Sequence, residues 1–191
     1  MSRRLDRDYF EELYAGSSDP WNFETSEYER EKYGRTLAAL GGRRFSRALE
    51  AGASIGVFTR MLAGRCDELL AVDVSAKAVA AARDRLGDQP HVTVERRTLP
   101  EEMPEGPFDL IVASEVLYYF TREEMLAMLN GFEKILAPGG ALLAVHWRRE
   151  TKTYPLQGDE VHELLAAHTR LTLSESLSEP DYRMDLFEDR G

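Results

Sequence analysis

Apolar residues recur along this chain in two rhythms. Short unbroken apolar runs alternate with stretches whose apolar positions fall three and four apart. The first rhythm predicts buried strands and the second predicts helices. "RALEAG" (47–52) reads as a short buried strand, and "GVFTRMLAGR" after it starts a helix. "ELLAVDVS" (68–75) is a second strand ending on an aspartate. "AKAVAAARDRLG" (76–87) is a helix with Gly87 at its C-terminal stop. "VTVER" (92–96) is a third strand, and "FDLIVASEVLYYF" (108–120) opens as a fourth and ends in an aromatic patch. A helix over 122–140 closes on "APGG", followed by a fifth strand, "ALLAVHW" (141–147). "GDEVHELLAAH" (158–168) is helical, and 170–188 holds two alternating runs around Glu179-Pro180-Asp181, the pattern of a hairpin. Unbroken apolar strands with helices between them predict a parallel sheet covered on both faces. The expected fold is therefore α/β: a doubly wound, mostly parallel seven-stranded sheet, helices on both faces, and an antiparallel C-terminal strand.

The first 45 residues break this rhythm. They are rich in aromatics, contain no strand pattern, and turn at Asp19-Pro20-Trp21. Residues 26–40 read as an amphipathic helix with Tyr28, Lys32, Arg35 and Ala39 near one stripe. We expect 1–45 to form a helical cap over the ligand edge of the sheet, and 46–191 to form the α/β domain as one structural unit. Packing alone explains most of the cap's aromatics.

Composition narrows the function. The chain has 191 residues, 43% hydrophobic and 30% charged, the profile of an ordinary folded domain. Its formal net charge of −10 disfavours a nucleic-acid surface and suits a neutral or cationic small molecule. One cysteine, Cys66, makes no intramolecular disulfide, and His91, His146, His162 and His168 lack metal-site spacing, so no metal is expected. The charged start "MSRRLDRDYFEELY" has no apolar run behind it, so neither a signal peptide nor a membrane partner is expected, and the expected location is cytoplasmic. The oligomeric state stays open between monomer and homodimer.

The loop after the first strand carries the chemistry. A dinucleotide fingerprint needs G-x-G-x-x-G, but here Ser54 and Val57 occupy its second and third glycine places. The pattern is instead E-x-G-x-S-x-G: Glu50, Gly52, Ser54, Gly56. Asp73 closes the next strand 17 positions after Gly56. A carboxylate there offers two acceptor oxygens for the hydroxyls of a ribose. The competing explanations are a plain strand–helix turn for the glycines and a helix N-cap for Asp73, a role Ser75 could take.

With "FDLIVASEVLYY" and "LAPGG" following in order, the chain resembles the class I S-adenosylmethionine-dependent methyltransferases over roughly residues 45–188. "DPW", "YEREKY", "SIGVFT" and "SEVLYY" narrow the resemblance to the NodS-type nodulation methyltransferases, which act on an amino group of a deacetylated sugar. The resemblance implies that the cofactor is S-adenosyl-L-methionine, with S-adenosyl-L-homocysteine as product. It implies that Gly52, Ala53 and Ser54 line the methionine part, that Glu50 and Gly56 belong to the same cofactor site, that Asp73 holds the ribose, and that Val74 packs on the adenine. Thr98 and Leu99 fall where the family's loop meets the adenine amine; many relatives carry an aspartate there and this chain does not. Ser114, Glu115 and Tyr118 are implied to face the cofactor.

Methyl transfer from a sulfonium is an in-line displacement, so the protein must align the nucleophile and leave it uncharged. An ammonium acceptor must first lose a proton. Glu115 and His146, at the ends of the fourth and fifth strands, are the candidate bases. Trp21, Tyr28, Tyr119, His146, Trp147 and Arg148 are candidate acceptor contacts, and 146–165 is the candidate acceptor loop. The expected activity is N-methylation of a small-molecule acceptor, an aminosugar or a glycan or secondary-metabolite intermediate. The alternatives are an O-methyltransferase on a sugar or phenol and a non-catalytic nucleoside-binding module; a nicotinamide enzyme is disfavoured by Ser54 and Val57.

Overall fold

A computed structural model describes residues 3–191; residues 1 and 2 of the expected cap lie outside the described residues. In chain order the elements are α1 (Arg7–Gly16), α2 (Glu27–Ala39), β1 (Phe45–Ala51), α3 (Val57–Ala63), β2 (Cys66–Asp73), α4 (Ala76–Leu86), β3 (Val92–Arg96), β4 (Phe108–Ser114), α5 (Arg122–Ile135), β5 (Leu136–Trp147), α6 (Gly158–His168), β6 (Thr172–Ser178) and β7 (Tyr182–Glu188). A single 3-10 turn, Leu117–Tyr119, lies between β4 and α5. The strands form a seven-stranded sheet in the order β3-β2-β1-β4-β5-β7-β6. The expected α/β architecture is present.

The described residues divide into two compact units, Asp6–Thr98 in one and Leu99–Gly191 with residues 3–5 in the other. In the first unit β1 and β3 flank β2, both parallel to it. Their apolar runs are buried: Ala48, Leu49, Ala71 and Val72 are at most 1% exposed. Helices α1 and α2 belong to this same unit, α1 packing on α4 and α2 on α3. Asp6 caps α1, Ser26 caps α2 and Ser75 caps α4, each through a side-chain oxygen that accepts a first-turn amide.

The buried face of α2 differs from the expected stripe. Glu29, Lys32, Tyr33 and Thr36 face inward, while Tyr28 and Arg35 are exposed. Lys32 is 2% exposed, and its ammonium lies 2.9 Å from Glu29 Oε2 and 5.2 Å from the centre of the Tyr28 ring. Pairing one turn away offsets the charge, which an apolar-only pattern cannot register.

In the second unit β4 and β5 are parallel and β7 runs antiparallel to β5. The expected hairpin is β6–β7, but its order is reversed from a simple edge addition: β7 is inserted beside β5 and β6 forms the outer edge. The burial patterns explain this. Met184, Asp185, Leu186 and Phe187 of β7 are all buried, whereas Thr172–Ser176 of β6 are exposed. Helix α5 opens on a full capping box between Thr121 and Glu124 and ends at Ile135, five residues short of the expected limit, where the chain enters β5 through a bulge at the "LAPGG" turn.

Candidate active site

In the first unit the chain leaves β1 through a tight loop. Gly52 and Gly56 have φ of 81° and 79°, the left-handed region that favours glycine. Gly56 has a packing reason as well, since a Cβ there would lie 3.1 Å from Ala82 Cβ of α4. Ser54 also sits left-handed, at φ 50°, with a side chain that pays strain for that place. Two contacts hold it: its amide donates to Asp73 Oδ2 at 2.8 Å, and its hydroxyl pairs with the Tyr14 hydroxyl of α1. Burial pushes the Tyr14 phenol upward, aided by the nearby Asp73 charge. Tyr14, unforeseen in the sequence reading, thus ties the helical segment to the glycine loop.

The loop's amides are largely committed. Gly52 and Ala53 both donate to the Val72 carbonyl, Ser54 to Asp73, and Gly56 to the Ala53 carbonyl. A phosphate cradle needs free amides converging on the anion, so this arrangement suits a ligand without phosphate. Asp73 is tethered rather than capping: Oδ1 accepts the Ser75 amide at 2.9 Å, while Ser75 itself caps α4. A carboxylate offers about four acceptor sites, so Asp73 keeps accepting capacity beyond the amides that tether it, and the residue is partly exposed. Burial raises its pKa, opposed by the Ser75, Ser54 and Val74 amides. Val74 and Thr98 are half-buried in the same unit.

Glu50, in β1, is 3% exposed, and its Oε2 has no hydrogen-bond partner. Burial drives its carboxyl up to about 8, with Thr59 opposing and Asp73 adding to the shift. A folded-state pKa above the ordinary 4.5 means that the folded chain holds this proton more tightly than the unfolded one. Stability is therefore fully present below about pH 4.5 and is lost as pH rises toward 8, by an upper bound on the order of 5 kcal/mol. Glu50→Gln should match the unaltered protein in urea unfolding at pH 5 and exceed it at pH 9. Equal curves at both pH values would show that this carboxyl is not linked to folding.

In the first unit the acceptor candidates Trp21 and Tyr28 lie among the residues of the helical segment, Trp21 against the Tyr14 ring that reaches the loop. Trp21 stacks on Phe23 at 5.4 Å and meets Tyr14 edge-on, in a string that continues through Tyr33 to Phe58 of α3. Tyr28 covers Lys32.

In the second unit Ser114 ends β4 and Glu115 follows with φ of 54°. Its amide donates to the Val145 carbonyl at 2.8 Å, which pins the strained residue to β5. Glu115 Oε2 accepts the Tyr118 hydroxyl at 2.5 Å and the Trp147 amide at 2.9 Å. Desolvation and the Glu115 charge hold the Tyr118 phenol well above its ordinary value, so it remains a donor. Tyr118 stacks on Tyr154 at 4.8 Å, and Tyr119 meets both rings edge-on. Tyr154, in the 148–157 loop, completes a cluster that the sequence reading did not foresee. Leu99 is buried, and its carbonyl accepts from Arg4.

Two expectations change here. His146 is fully buried and its ring is enclosed by protein: Nε2 accepts the Leu117 amide at 3.2 Å, and Nδ1 meets His162 Nε2 at 3.2 Å. A lone pair occupied by a backbone amide is unavailable to an acceptor's proton. Arg148 is committed as well, to Asp159 Oδ2 at 2.9 Å and to the Glu179 carbonyl at 3.0 Å, and Arg149 pairs with Asp181. The two arginines clamp the loop to the β6–β7 hairpin tip. Gly158 closes the other end of the loop so tightly that a Cβ would fall 2.0 Å from the Trp147 carbonyl oxygen.

Among the described residues no helix is long and apolar enough to cross a membrane, and no group of three or more His, Cys, Asp or Glu could hold a metal ion.

Comparison with known proteins fits this geometry. The family model described as Nodulation protein S (NodS) matches residues 7–174. Nodulation protein S of Bradyrhizobium diazoefficiens is 37% identical over 128 residues, covering 65% of this chain and 61% of that protein. That of Rhizobium tropici is 33% identical over 129 residues, covering 66% of this chain and 54% of that protein. The chain thus spans less than two thirds of the length of these curated relatives. The solved N-methyltransferase NodS from Bradyrhizobium japonicum WM9, in complex with S-adenosyl-L-homocysteine, superposes with a TM-score of 0.86 at 26% identity, covering 98% of this chain and all of that one.

Proposed function

Because this chain belongs to the nodulation protein S (NodS) family, we propose that it is an S-adenosylmethionine-dependent methyltransferase that methylates an amino group of a small molecule, an aminosugar or an aminosugar-bearing intermediate. The likeness to a relative solved with S-adenosyl-L-homocysteine supports the cofactor. The residues of the first unit suit that molecule on their own chemistry. Asp73 has accepting capacity left for a ribose hydroxyl, and Glu50 has an unpartnered buried oxygen for an ammonium group. Most amides of the glycine loop are committed within the protein, which disfavours a phosphate. When bound, the cofactor supplies a methyl group activated by its sulfonium.

The observation that carries the reaction is Glu115. It is a carboxylate held in a left-handed backbone at the carboxyl end of β4, where ligands bind in open α/β sheets. Its Oε2 is aimed by Tyr118 and by the Trp147 amide. In this reading Glu115 orients the acceptor's ammonium and takes its proton, exposing the nitrogen lone pair for in-line attack. His146 supports the turn beside it and takes no part in proton transfer. The net charge of −10 favours arrival of a cation.

The test is transfer of labelled methyl from S-adenosylmethionine onto glucosamine-type amines, their N-acetylated forms and the matching amine-free sugars. Label on the free amines alone supports the reading. Equal label on the amine-free sugars would replace it with O-methylation.

A further inference from the structure

A buried histidine pair lies outside the chemistry described so far. His146 of β5, His162 of α6 and Asp185 of β7 are all 0% exposed. They form a chain: Leu117 amide to His146 Nε2 at 3.2 Å, His146 Nδ1 to His162 Nε2 at 3.2 Å, and His162 Nδ1 to Asp185 Oδ2 at 2.8 Å. Asp185 is fixed in turn by the Ser176 hydroxyl on Oδ1 and by Arg183 at 3.0 Å from Oδ2.

The proton positions in this chain follow from one group. A backbone amide can only donate, so His146 Nε2 must be bare. A neutral imidazole with a bare Nε2 carries its proton on Nδ1, which therefore donates to His162. His162 Nε2 must then be bare, its proton sits on Nδ1, and Asp185 accepts it. Any other placement leaves two donors or two lone pairs facing each other in a site without solvent, at the cost of an unsatisfied buried group. A carboxylate that sets a histidine tautomer through its second ring nitrogen is a recurrent way to orient that ring.

What the chain orients is the Leu117–Tyr119 turn. This turn carries Tyr118, whose hydroxyl aims Glu115 and whose ring meets His146 edge-on at 5.2 Å. The adjoining loop bonds the same turn, with the Leu156 amide on the Tyr118 carbonyl. We infer that His162 and Asp185 are positioning residues that act through His146 to hold this turn, and with it the Tyr118–Glu115 pair, in the geometry that receives the acceptor. The inference rests on the acceptor role given to Glu115 above.

The experiment has two arms. In the ¹⁵N-labelled full chain at neutral pH, long-range ¹H–¹⁵N correlation should show both His146 and His162 as Nδ1–H tautomers with bare Nε2. A proton on Nε2 of either ring would overturn the relay without reference to any activity. In the second arm His162→Phe, which keeps the ring shape but neither polar atom, should lower kcat with an amine acceptor by about tenfold or more while the Kd for S-adenosylhomocysteine stays within about twofold. His162→Gln, whose amide can accept from His146 and donate to Asp185, should recover most of the loss. A wild-type kcat in folded His162→Phe, or a glutamine no better than phenylalanine, would overturn the positioning role. If the unaltered protein transfers methyl to none of the amines, the acceptor reading fails. The tautomers, and an exchange rate of the Leu117 amide that rises about tenfold or more in His162→Phe, then decide the relay alone.

Discussion

Glu115→Gln is expected to lower turnover with an amine acceptor by about 10²- to 10⁴-fold, the range typical of losing a positioned general base. Cofactor affinity should stay within about threefold, because Gln preserves the shape of the side chain. Its amide oxygen can still accept the Tyr118 hydroxyl and the Trp147 amide that Glu115 Oε2 accepts. The left-handed backbone at φ 54° is equally available to either residue, so the fold should survive. What disappears is the charge that attracts an ammonium and the basic oxygen that takes its proton. Initial rates against acceptor concentration, with calorimetric titration of S-adenosylhomocysteine beside them, separate the two. A loss of turnover smaller than about threefold would remove Glu115 from proton transfer.

Asp73→Ala should weaken S-adenosylhomocysteine binding by about 10²- to 10³-fold. Two charge-assisted hydrogen bonds to ribose hydroxyls, each worth about 1.5–3 kcal/mol, account for that range after partial replacement by water. The substitution also orphans the Ser54 and Ser75 amides, so the glycine loop loses the anchor that holds Ser54 left-handed. Asp73→Asn separates these effects. Asn presents one acceptor oxygen and one donor nitrogen, so it can keep one of the two amides while losing the charge. It should fall between the unaltered protein and Asp73→Ala. Unchanged binding in Asp73→Ala, measured on a sample with an intact melting transition, would place the nucleoside elsewhere in the chain.

The strands and helices were legible because their signal is local. "FDLIVAS" and "AVAAARDRL" announce their elements through residues two to four positions apart. The loop chemistry was legible for a related reason: Ser54 lies in the loop after β1 and Asp73 ends β2, and parallel strands of one sheet bring their carboxyl ends together. The α2 stripe held only in part: Lys32 is buried, paired with Glu29, while Tyr28 and Arg35 are exposed, because spacing alone does not register a charge pair. The base role for His146 failed on one contact, the Leu117 amide on Nε2, made across 29 residues of sequence.

The sequence by itself determined the order of the elements, the loop that needs glycine at positions 52 and 56, and a carboxylate at the end of β2. These depend on backbone sterics and on apolar spacing, which neighbouring residues set among themselves. Only the tertiary structure decided which polar atoms remain available. Asp73 keeps accepting capacity although both oxygens are tethered, Glu115 is aimed by Tyr118, and His146 and Arg148 are turned inward. Hydrogen-bonding capacity is finite, and whether a side chain meets a ligand or its own protein is fixed by partners the fold brings from far along the chain.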